Sequence, residues 1–79
     1  MNEKEIRKEL LDIALDMCSY EFNELEECDR TFIETAPIQK VFWFTQGAVN
    51  SDDPGFYQEI YGERMAKIEK ALKDIWLLS

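Results

Sequence analysis

Tyr57, Ile60, Tyr61, Met65, Ile68, Ala71, Leu72, Ile75 and Trp76 recur at spacings of three and four, a period that fits a helix with one apolar side. Glu59, Glu63, Lys70 and Lys73 fall on the opposite side. Glu63–Lys67 and Glu69–Lys73 have the i,i+4 spacing that favours ion pairs on an exposed helix face. Asp53-Pro54 supplies the start: an Asp side chain accepts from the free amides of a first turn, and Pro at the first helical position forfeits no hydrogen bond. The pattern predicts a helix over about 54–77.

A second long period opens the chain. Asn2 with Glu5 three residues on has the form of a capping box. Ile6, Leu10, Leu11, Ala14, Met17, Cys18, Phe22, Leu25 and Cys28 then fill a broad apolar arc, which as one helix covers about 3–28. The middle admits two readings. Thr35-Ala36-Pro37 caps a short helix at about 37–46, in which Ile38, Val41, Phe42 and Thr45 share a face and Gly47 ends the run. The rival is a β-hairpin pairing 31–35 with 40–45, both rich in β-branched and aromatic residues. Its connection, Ala36-Pro37-Ile38-Gln39, lacks the Asn, Asp or Gly of a tight hairpin turn, so the helix is preferred.

The expected fold is therefore all-α: one domain over 1–79, with two long amphipathic helices packed antiparallel and a short middle helix closing the core. The alternative is α+β, a helix–hairpin–helix. Seventy-nine residues is near the lower limit for a single core, which at this size supplies only about 3–5 kcal/mol. Surplus apolar surface in such a chain points to a contact.

That surplus sits at Phe42-Trp43-Phe44. Successive helical residues point about 100° apart, so three aromatics in a row spread beyond any one face. With Phe42 turned inward, Trp43 and Phe44 flank Lys40 on the outside, and Trp is enriched where interfaces hold their binding energy. Lys40, Trp43 and Phe44 are thus candidate partner-binding residues.

Charge supplies the second candidate. Nine basic and seventeen acidic residues give a net −8, and from Asp12 to Asp29 seven acids occur with no base. Such a chain is a poor ligand for nucleic acid or anionic lipid, which are bound through Lys and Arg, and suits a basic protein surface instead. Glu5, Glu9, Asp12, Asp16 and Glu27 form one stripe on the first helix. Like charges at i,i+4 cost a few tenths of a kcal/mol each, so the stripe does not serve helix stability. Its carboxylates repeat about every 5–6 Å, close to phosphate spacing on a nucleic-acid strand, which suits either an inhibitor occupying a basic groove or a solubilising face.

Two charges interrupt the apolar arcs: Glu21 in the first helix and Arg64 in the last. Antiparallel packing brings them to similar heights, which predicts a partly buried Glu21–Arg64 pair that sets register.

Histidine is absent, which removes imidazole bases, His-ligated zinc and Ser-His or Cys-His nucleophile pairs. Cys18 and Cys28, ten apart on one helix, lie about 15 Å from each other, too far for a disulfide. Three scattered glycines form no phosphate loop. Glu21, Glu24 and Glu27 would hold a cation only against a facing pair, and Glu59 and Glu63 point away. No catalytic residue, metal or cofactor is expected. Without a signal peptide or membrane span, a cytoplasmic protein is expected. The function these features suggest is a small non-enzymatic protein-binding module of inhibitor, immunity or accessory type; the alternative is a homodimer whose aromatic patch joins the two copies.

Overall fold

The computed structural model describes residues 1–51 and 55–78, the last three by backbone alone. It is all-α, with four helices in the order α1 (Glu3–Tyr20), α2 (Glu27–Thr35), α3 (Ile38–Asn50) and α4 (Phe56–Leu78). No strand occurs among the described residues, and both arms of the rival hairpin are helical.

The first helix starts as its cap dictates: the Asn2 side-chain oxygen accepts from the Glu5 amide at 2.9 Å. It ends earlier than its apolar arc implies. At Tyr20 the chain turns, and the expected single helix over 3–28 becomes α1, a linker and α2. Asn23 N–H donates to Cys18 C=O at 3.0 Å and Phe22 N–H to Ser19 C=O at 3.2 Å, the paired bonds of a Schellman ending. The physical reason is in the charges. Glu24, Glu26, Glu27 and Asp29 would be mid-helix or near a negative pole in one long helix, whereas they surround the positive N-terminal pole of α2.

Pro37 separates α2 from α3. Ala36 before it is held extended, as proline demands of its predecessor, and α3 begins at the next residue. The expected stop at Gly47 is passed. The face built by Val41, Phe42 and Thr45 continues to Val49, and burying it carries the helix to Asn50. Buried Thr45 is satisfied by donating to Val41 C=O at 3.0 Å. The Asp53-Pro54 start predicted for the last helix lies outside the described residues, as does the side chain of Trp76; α4 follows Gly55, whose φ of 101° only glycine adopts freely.

Helices α1 and α3 together form the centre, each touching the other three helices, while α2 and α4 do not meet among the described residues. Ile6, Leu10, Ile13 and Met17 of α1 join Val41, Phe42 and Val49 of α3 and Tyr61, Met65, Ile68 and Leu72 of α4 in one core, which Ile33 of α2 completes. Two contacts set α1 and α4 antiparallel: Tyr57 hydroxyl donates to Met17 C=O at 3.2 Å, and Arg64 reaches Glu9 at 2.8 Å. Arg64 therefore does not take Glu21. The early end of α1 leaves Glu21 as an exposed C-cap, while Glu9, about three turns back, stands opposite the guanidinium. Arg7 ties in α2 by donating to Ile33 C=O at 3.1 Å, the basic partner that α2's own last turn lacks. No described helix is long and apolar enough to cross a membrane.

Candidate functional site

On α3 the core takes Val41, Phe42, Thr45 and Val49, so helical geometry turns Lys40, Trp43 and Phe44 to the outside. Trp43 is 58% exposed and Phe44 44%. Neither ring is loose. The indole meets buried Phe42 edge-on, centroids 5.1 Å apart, and Phe44 packs on Phe32 of α2 at 5.2 Å. Each ring is thus held on one side and wet on the other, the arrangement in which an aromatic binds at little cost in side-chain order. With Gln39 and Lys40 they line a shallow groove.

The acidic stripe fares differently. Glu5, Asp12 and Asp16 are exposed along α1. Glu9 lies on the same ridge but is engaged by Arg64. Glu27 is removed from the stripe, because it belongs to the first turn of α2. The carboxylates that share a concavity with the aromatic patch are others. A cleft of about 330 Å³ opens where the end of α1 meets α3 and α4, and Phe44 lines it together with Glu21 and Asp29. The aromatic patch and an acidic rim do adjoin, through Glu21, which the sequence pattern pairs with Arg64, and Asp29, to which it gives no role.

Phe22 is a functional candidate that the sequence reading missed. Read as one turn of a continuous helix, it joined the apolar arc. In the structure it is 98% exposed and occupies the left-handed region, φ 56°, where a Cβ is unfavourable and glycine is the usual choice. Non-glycine residues held there cluster at functional positions. The signal in the sequence was the string of acids after Ser19, which suits a helix start and not a helix middle. A second exposed group, Tyr20 and Phe56, stacks edge-on at 5.1 Å across the α1–α4 junction.

Both cysteines are free. Burial, then Glu21 and Asp29, push the Cys18 thiol up; the hydrogen bond to Glu26 is the largest influence raising Cys28. Neither is an activated nucleophile. Glu26, Cys28 and Asp29 bring ligand atoms within 4.8 Å of one another, an arrangement that follows from acids crowding the first turn of α2. The Tyr61 hydroxyl is buried with no hydrogen-bond partner among the described residues, and burial, aided by Asp16, pushes its pKa up to about 12.

No protein-family model matches the chain, and no curated protein or solved structure is significantly similar to it.

Proposed function

We propose that this chain is a small, non-enzymatic, cytoplasmic protein-binding module that docks on a partner with a basic surface and acts as an inhibitor or accessory to it. Trp43 and Phe44 are the apolar anchors and Lys40 their neighbour; exposed Glu5, Asp12, Asp16 and Glu27, with the net charge of −8, supply attraction at a distance. The carrying observation is that two adjacent aromatic rings are braced from beneath yet half open to water. A core of this size has every reason to bury such rings if they serve stability alone. The two unpaired thiols agree with a reducing compartment.

The test is co-purification from the source cell with wild type and Trp43→Ala side by side, at low and high salt. A partner kept by the wild type, lost from the folded variant and weakened by salt supports the reading. Equal retention by both removes it. Concentration-dependent dimerisation of the wild type, abolished by Trp43→Ala, would assign the patch to self-association instead.

A further inference from the structure

We infer that the cleft between the end of α1, α3 and α4 receives an apolar side chain from a Lys/Arg-rich amphipathic helix of the partner. This rests on the protein-binding reading and names the chemistry of what is bound. Ala14, Met17, Leu25, Phe44 and Ala48 make the cleft wall apolar, and Glu21 and Asp29 stand on its rim. Its volume, about 330 Å³, is at the small end of pockets that bury a ligand and is roomy for one large aliphatic side chain.

Three observations make the occupant cationic. The chain carries no Lys or Arg between Glu9 and Asp29, and Arg30, the first base beyond, is paired with Glu34 at 3.3 Å. Both rim carboxylates act on one point, since Glu21 and Asp29 each push up the Cys18 thiol that lines the same cleft. Helix α1 also ends here, with its negative pole and no base in its last turn. A Leu or Met flanked by Lys or Arg on a helix satisfies wall and rim together, the usual way an amphipathic helix enters a groove. Helix α4 of a second copy does not offer that segment: from Glu59 to Asp74, four acids offset four bases. The cleft is continuous with the aromatic patch, because Phe44 lines both.

The probes are a short helical Leu/Lys peptide and its Leu/Glu counterpart, titrated into the intact protein and followed by amide NMR shifts. The Leu/Lys peptide is expected to move Leu25, Phe44 and Ala48, and the Leu/Glu peptide to move nothing. Ala48→Phe fills the cleft and is expected to weaken Leu/Lys binding at least tenfold, by loss of the pocket an anchoring side chain needs. Glu21→Gln with Asp29→Asn keeps both side-chain volumes and is expected to weaken it by about fivefold at low salt, less at high salt. Shifts confined to exposed acids, equal binding of both peptides, or full binding by Ala48→Phe each overturn the inference. If partner retention survives Ala48→Phe but fails in Trp43→Ala, the cleft assignment is wrong and the aromatic patch stands; the opposite pattern keeps the cleft and removes the patch.

Discussion

Replacing Phe22 with glycine should make the protein more stable, although it deletes an aromatic residue. Phe22 has φ 56° at the end of α1 and is 98% exposed. A Cβ in left-handed backbone costs roughly 1–2 kcal/mol. Glycine recovers this but adds freedom to the unfolded chain worth about 0.5–1 kcal/mol. Almost no burial is lost, because the ring contacts almost nothing. The balance favours glycine by about 0.5–1 kcal/mol, which in a domain this small raises Tm by roughly 2–8 °C. Thermal unfolding followed by helical circular dichroism, with urea titration beside it, reads the change. Phe22→Ala is the control: it removes the ring and keeps the Cβ, so its stability should stay within about 0.5 kcal/mol of wild type. A fall in Tm for Phe22→Gly, or an equal rise for Phe22→Ala, would refute the reasoning.

Tyr61→Phe should gain about 1 kcal/mol, since it removes a buried hydroxyl with no partner among the described residues. The wild-type phenol, raised to about 12, binds its proton more tightly folded than unfolded. Its contribution is therefore complete below pH about 10 and is lost as pH rises through about 12, a loss of roughly 2–3 kcal/mol; Tyr61→Phe should flatten that part of the stability–pH curve. Arg7→Met should cost about 1–2 kcal/mol by leaving Ile33 C=O without its charged donor, with faster amide exchange in α2 as the signature. A double-mutant cycle on Glu9 and Arg64 should give a coupling below about 1 kcal/mol that shrinks with salt, because both groups are half-exposed.

The all-α class and the course of α4 were legible because Tyr57 to Ile75 repeats one helical period without interruption. The start of α1 was equally plain, since Asn2 and Glu5 carry their cap in the sequence. The break after Tyr20 was not, because Phe22, Leu25 and Cys28 continue the apolar spacing of α1 into the linker and α2. Apolar period alone cannot tell a continuous helix from two helices in phase; the placement of acids relative to helix poles can. The same slip misassigned Glu21. Taken as an apolar-arc charge, it was matched to Arg64, whereas the shortened helix offers Glu9 at that height. Trp43 and Phe44 were readable from geometry, since a helix that buries Phe42 must turn its next residues outward. What no pattern in the sequence supplied was the cleft, which needs α1, α3 and α4 placed together before Phe44 stands beside Glu21 and Asp29.

The central claim is that the rings on the outer side of α3 are kept for a partner. Titration calorimetry of the retained partner against wild type and Trp43→Ala measures this most directly, at a temperature where circular dichroism shows both folded. Losing a buried aromatic anchor should weaken binding by about 2 kcal/mol or more, roughly thirtyfold. An affinity unchanged by the substitution, with only a lower Tm to show for it, would mean the indole is structural and the claim false.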